Sequence, residues 1–325
     1  MQNNFFFLAL LYVVIFVSAC DTSQRKIKIP SYFPQDNIPF FDSVREEEIA
    51  LGSMLFFDKR LSMDSTVSCS SCHDPNKAFT DGKMVSDGLS GHKSFRNSST
   101  LLNAGFNPTF MFDERAYNID MVSLIPFFDT NEMGMNWHIL DTLFRHDATL
   151  NNLSYQAYKQ PCNITSISRS LGAFMKSLQA NKSKFDVFTT TQNAKIFSYE
   201  EIKGKDLFFG KGKCNSCHTA PLFTNHKHYN IGIEKNGSKD LGKTIGTLRK
   251  EDMFKFKTPT LRNIEITEPY FHNGKAATLQ NAVDFHLSED RKTADFNPPT
   301  LNDTERQNLI SFLKCLTDSN YVVIK

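Results

Sequence analysis

Tryptophan is nearly absent from this 325-residue chain, which carries one Trp against 30 Phe. A strong charge of either sign is missing too. The formal net charge is +2, which offers no footprint for a nucleic-acid polyanion. Long apolar runs are equally scarce: the one at the start, Phe5 to Val17, stops at thirteen residues, too short to span a bilayer comfortably. What remains is length enough for two modest domains with ordinary cores. The Phe excess suits large apolar cofactors wrapped by small domains, although Phe-rich cores alone give the same count.

The short apolar run has the length of a signal-peptide core and ends in Val17-Ser18-Ala19-Cys20, which resembles a bacterial lipobox. Cleavage there makes Cys20 the acylated first residue of an exported lipoprotein. The residues ahead of the run hold no Lys or Arg, a departure from the usual pattern, and an ordinary cleaved signal is the other reading. Either one exports the chain. Residues 21–40 carry Pro30, Pro34 and Pro39 with few periodic apolar positions and read as a tether and extended arm. A helix is expected from near Asp42 or Ser43. Glu46, Glu47 and Glu48 complement its dipole, and Ile49, Leu51, Leu55 and Phe56 share its inner face.

Two runs carry the chemistry: Cys69-Ser70-Ser71-Cys72-His73 and Cys214-Asn215-Ser216-Cys217-His218. In Cys-x-x-Cys-His the two thiols add across the vinyl groups of one haem and the imidazole takes an axial site on its iron. Chance yields one such run in this length on the order of 0.004 times. Zinc is the main rival, but pairs this far apart lack the short spacing of a structural site. A thioredoxin-like pair explains neither the His nor the duplication. With Cys20 set apart, Cys162 and Cys315 remain, either as buried thiols or as a disulfide.

The duplication extends beyond the Cys runs. Ile49-x-x-Gly52-x-x-Leu55-Phe56-Phe57 precedes the first run, and Ile202-x-Gly204-x-x-Leu207-Phe208-Phe209 precedes the second. Ala173-Phe174-Met175-Lys176-Ser177-Leu178 closes one half, and Ser311-Phe312-Leu313-Lys314-Cys315-Leu316 closes the other. Each glycine would cost its helix about 1 kcal/mol against Ala. A closing helix crossing at close range explains both. The expected fold is mainly α, two class I cytochrome c-like domains with long irregular insertions and short hairpins. The domains are drawn at 41–190 and 191–325, with Thr189 to Asn193 read as the break. Residues 74–163 form an excursion far longer than such a domain needs, where a substrate pocket could be built.

Further stretches make the chain resemble the bacterial di-haem cytochrome c peroxidases and their methylamine-utilisation relatives. They are Leu55 to Asp58, Ser68 to His73 with Phe79 to Gly82, Arg96-Asn97 with Leu101 to Asn103, Phe112 to Ala116, Glu132-Met133-Gly134, Lys257 to Asn263 and Pro269 to Gly274. The resemblance implies that His73 holds the iron that meets hydrogen peroxide and that His218 holds a relay iron. It implies that Glu132 is the acid-base residue and that His286, where relatives commonly have Met or Tyr, is the relay iron's second ligand. A Ca2+ between the haems, at Asn97, Thr267 and Pro269, follows from the same resemblance. So do a small cytochrome c or cupredoxin donor, a homodimer, and a place on the periplasmic side of a bacterial membrane.

Three departures from the family pattern matter. Phe112 stands where relatives carry a Trp between the haems, Val122 replaces a Gln near the peroxide pocket, and Leu89 replaces a displaceable distal His. Leucine does not ligate iron, so the reactive haem is expected open at rest unless His92 substitutes. Peroxide reduction is the favoured activity. Peroxide-driven oxidation of another protein and plain electron transfer are the alternatives. Trp137-His138, His226 and His228 have no role in the resemblance and read as surface or packing residues.

Overall fold

The computed structural model describes residues 27–35, 41 and 44–321. The signal segment, Cys20 and most of the tether therefore lie outside the described residues. The chain is helix-rich; its one sheet among the described residues is the antiparallel pair His228–Tyr229 and Phe256–Lys257.

Two helix pairs organise the molecule. The opening helix Glu46–Phe57 packs against Ile164–Ser177, and Tyr199–Phe209 packs against Asp303–Lys314. The first opening helix starts at Glu46, later than expected. Arg45 just ahead of it is extended, and the Glu48 carboxylate reaches back to the Arg45 N–H at 3.1 Å. Ile49, Leu51, Leu55 and Phe56 are all buried, as the periodicity requires. Both glycines sit at the helix crossings. A Cβ on Gly52 would lie 1.9 Å from the Ser170 carbonyl oxygen, and one on Gly204 would lie 1.9 Å from that of Asn308.

Around each crossing is an apolar core. The first gathers Leu51, Leu55, Phe56, Phe79, Phe127 and Phe174; the second gathers Phe185, Phe208, Phe223, Ile310 and Phe312. Cys162 belongs to the first and Cys315 to the second, each as a free buried thiol, so they form no disulfide. A third cluster, of Phe33, Phe41, Phe106 and Leu222, brings the N-terminal arm across both halves.

Two local expectations change. Thr189 to Thr191 do not break the chain but end the helix Lys184–Thr191, and Gln192 takes the left-handed cap position. Phe185 on this helix packs into the second core. The excursion also holds more regular structure than expected. It contains helices Trp137–Arg145 and Ala148–Tyr158, started by the side chains of Asn136 and Asp147.

Candidate functional site

The first Cys run forms a single helical turn, Cys69–Cys72, closed by the His73 N–H donating to the Cys69 carbonyl at 2.9 Å. Ser71 Oγ accepts from the Ser68 N–H at 3.0 Å and fixes the start of the turn. His73 Nδ1 lies 3.0 Å from the Phe79 carbonyl and 3.2 Å from Ser98 Oγ. The Ser98 hydroxyl proton goes to the Cys72 carbonyl at 2.6 Å, so Nδ1 is the donor to both oxygens. That assignment leaves Nε2 unprotonated and available to a metal.

The second run repeats this plan with a 3₁₀ turn, Cys214–Ser216. His218 Nδ1 lies 3.2 Å from the Phe223 carbonyl and 3.1 Å from that of Pro259. His286, on helix Leu279–Leu287, has Nδ1 2.8 Å from the Ala282 carbonyl, and the rings of Phe271, Phe285 and Phe296 surround its imidazole. Cys214, Cys217, His218 and His286 line one cavity of about 490 Å³. Burial, then the neighbouring His286, lowers the pKa of His218 to about 4; burial also lowers that of His286. Both imidazoles are therefore neutral, the form that binds iron.

This donor set fits haem better than a bare ion. Burial pushes the thiols of Cys69 and Cys214 up to about 12 and that of Cys72 to about 11, so they are neutral, whereas a bare ion is held by thiolates. Among the described residues no cluster of three or more His, Cys, Asp or Glu is arranged to hold a metal ion.

Glu132 sits in a tight turn. Its N–H donates to Asp129 at 3.0 Å, and its carbonyl accepts from the Leu89 N–H at 2.7 Å. Burial, then the Asp129 carboxylate, raises its pKa, while Arg115 opposes them. Its charge is felt at Cys72, where burial is the larger effect. Leu89 lies against Gly134 in the same turn. His92 is exposed, with Nδ1 3.4 Å from the Thr130 carbonyl.

The cavity wall continues to Asn97, Thr267, Pro269, Phe112 and His272, bringing the residues named for calcium to one surface. Asn97 bridges the halves: its N–H donates to the His272 carbonyl and its Nδ2 to the Lys83 carbonyl, both at 2.8 Å. Phe112 and His272 have ring centroids 6.3 Å apart, and His272 stacks on Phe256 at 3.5 Å. His226 and His228 are packed inward, with pKa values lowered to about 4 by burial, whereas Trp137 is exposed, its ring tilted against that of His138.

The sequence reading missed Lys257 and Arg262 as individuals. Lys257 is half-buried in the cavity wall, donating to the Thr109 carbonyl at 2.9 Å, and desolvation lowers its pKa to about 8. Arg262 is 1% exposed and pairs with Asp186. Their position in the repeated segment, where Asn97 and Leu102 stand opposite them, was the available signal.

Residues 46–194 match a family model described as di-haem cytochrome c peroxidase. A cytochrome-c peroxidase from Denitromonas iodatirespirans, IdrP2, is 32% identical over 301 residues, spanning 83% of this chain and 81% of that protein. The cytochrome c551 peroxidase of Nitrosomonas europaea is 31% identical over 271 residues, spanning 82% and 79%. Among solved structures, a MauG-like protein associated with microbial copper homeostasis gives a TM-score of 0.81 at 29% identity, covering 90% of this chain and 95% of that one. With this extent of shared sequence and fold, the chain belongs to the di-haem cytochrome c peroxidase family, an oxidoreductase family whose members carry two c-type haems.

Proposed function

We propose that the chain reduces hydrogen peroxide to water with Glu132 and the His73 haem, using electrons from a small cytochrome c or cupredoxin that enter at the His218 haem. The observation that carries this reading is the asymmetry of the two sites. A half-buried carboxylate of raised pKa lies within electrostatic reach of Cys72 in the first Cys run, while a second imidazole, His286, shares the cavity of the second.

Bound at His73, a haem supplies the iron at which the O–O bond is cleaved, and the electrons for it. Glu132 handles the protons. As a carboxylate it takes a proton from one peroxide oxygen; as a carboxylic acid it returns that proton to the other, which leaves as water. Two electrons and two further protons balance the reaction, giving two waters per peroxide. The His92 ring rests near Thr130 and Leu89 offers no ligand atom, which supports a first iron open at rest. His218 and His286 would hold the iron of the second haem, each with Nδ1 near a backbone carbonyl and Nε2 left for a metal.

The rest of the assignment follows the same reading. The two apolar cores correspond to two class I cytochrome c domains, although the packing of Phe185 favours a seam near Ser183 rather than after residue 190. Asn97, Thr267 and Pro269 hold Ca2+ through oxygen atoms; Asn97 Nδ2 is engaged by Lys83, which leaves Oδ1 for the ion. Cys20 tethers an exported protein to a membrane on the periplasmic side, and the active form is a homodimer.

Electron paramagnetic resonance of the resting ferric protein tests the central claim. One high-spin and one low-spin haem, followed by reaction with stoichiometric peroxide, is the expected result. Two low-spin haems without a peroxide reaction would leave an electron carrier instead.

A further inference from the structure

The imidazoles of His73 and His218 are held by two matching loops. Thr100 Oγ1 donates to the Ala78 carbonyl at 2.5 Å, and Thr260 Oγ1 donates to the Leu222 carbonyl at 2.6 Å. The residues that follow, Phe79 and Phe223, both have positive φ, 58° and 54°, and each presents the carbonyl that receives a His Nδ1–H. The loops differ in what fastens their other end. In the second half Arg262 Nε donates to the Pro221 carbonyl at 2.9 Å. In the first half Thr100-Leu101-Leu102-Asn103 stands against Thr260-Leu261-Arg262-Asn263, so a leucine occupies the arginine's place. Leu102 has no side-chain donor.

Tyr321 supplies one from the far end of the chain. Its hydroxyl donates to the Pro75 carbonyl at 2.7 Å and accepts from the Ala78 N–H at 3.1 Å. The ring lies 6.3 Å from that of Phe79, against the first core. The segment carrying it is fastened elsewhere: Asp318 Oδ2 accepts from the N–H groups of Asn181 and Lys182 at 2.9 Å each, and its carbonyl accepts from Asn263 Nδ2 at 2.9 Å.

We propose that Tyr321 is a positioning residue for His73, clamping the Pro75–Phe79 loop so that the Phe79 carbonyl stays on Nδ1. This rests on the reading of His73 as the ligand of the reactive iron. A carbonyl that accepts from Nδ1–H makes the imidazole a stronger donor through Nε2 and fixes the plane of its ring. Such a ligand favours ferric iron. The clamp therefore sets the electronic state of the first haem, and it is anchored through Asn263 in the other half of the molecule.

The holoprotein carrying Tyr321→Phe keeps the ring and removes the hydroxyl. In the reduced variant the Fe–His stretching band of the first haem, read by resonance Raman, should move to lower frequency. The midpoint potential of that haem should rise while that of the second stays where it was. An unmoved band with an unmoved potential overturns the proposal. A chain ending at Asp318 should reproduce both shifts, and wild-type values in it would overturn the proposal equally. His73→Gly separates the two ways of failing. An unaltered first-haem spectrum in that variant removes the ligand reading and the proposal together; an altered one, with Tyr321→Phe silent, removes the proposal alone.

Discussion

Arg262 and Asp186 form a two-pronged ion pair in the interior, with Nη1 on one carboxylate oxygen at 2.9 Å and Nη2 on the other at 2.8 Å. The same guanidinium donates to the carbonyls of Ala180 and Pro221, and the Phe33 ring lies 4.6 Å from its central carbon. One side chain thus joins the linker between the halves, the second His loop and the N-terminal arm. Arg262→Met leaves Asp186 buried and unpaired, which should cost about 3–5 kcal/mol. Urea unfolding of the holoprotein measures it. Burial pushes the Asp186 carboxyl up, but the hydrogen bonds and charge of Arg262 prevail and hold its pKa below the usual range. Its contribution to stability is therefore present above the ordinary carboxylate pKa and lost as pH falls through the depressed one. In Arg262→Met that acid-side loss should shrink.

The helix crossings give a second test. Each close contact at Gly52 and Gly204 is with a backbone oxygen, which cannot rotate away as a side chain would. Gly52→Ala or Gly204→Ala should therefore lower stability by about 3 kcal/mol, the upper end of ordinary overpacking. Gly246→Ala is the control, because its new methyl would meet the Asp113 oxygen at an ordinary 3.6 Å. Calorimetric unfolding of the three variants should separate the first two from the third.

These glycines were legible in the sequence because a repeat displays the same exception twice. The Cys runs were legible because their spacing is the chemistry. Other features left weaker traces. Thr189, Thr190 and Thr191 look like helix breakers by propensity, yet their hydroxyls donate to the carbonyls of Phe185, Asp186 and Val187 one turn back. The Ser183 cap and the inward Phe185 then outweigh the propensity cost. Tyr321 lies 246 residues from the carbonyl it holds, and no local pattern encodes such a contact. Phe112 was singled out for what it replaces, but its partner across the repeat, His272, emerged only when the two rings were brought together.

Glu132 should give opposite effects on turnover and on stability. Glu132→Gln removes the proposed proton carrier and should slow peroxide turnover by about 10²–10⁴-fold. Because its folded pKa is raised, the native state holds its proton to higher pH than the unfolded chain does. Stability from this group therefore falls as pH rises from the ordinary carboxylate pKa to the raised one. At alkaline pH the Gln variant should be the more stable protein, and in acid the two should converge. Denaturant midpoints across a pH series measure the stability effect, and stopped-flow mixing with peroxide measures the catalytic loss.

On the proposed assignment, His286 decides whether the second iron is closed. Its Nδ1 is near the Ala282 carbonyl, one turn back on the same helix, so the ring direction is set by the helix itself. His286→Ala removes the ring without disturbing the Nδ1 contacts of His218, and the second haem should become high-spin with little change in fold. His286→Met should keep it low-spin while raising its midpoint potential, because a thioether stabilises ferrous iron better than an imidazole does. A higher potential makes the second iron a poorer donor to the first. Peroxide turnover in His286→Met should then slow even though Glu132 and the first Cys run are untouched. Spectroelectrochemistry of the two variants reads both quantities; a low-spin signal surviving in His286→Ala would remove His286 from the iron.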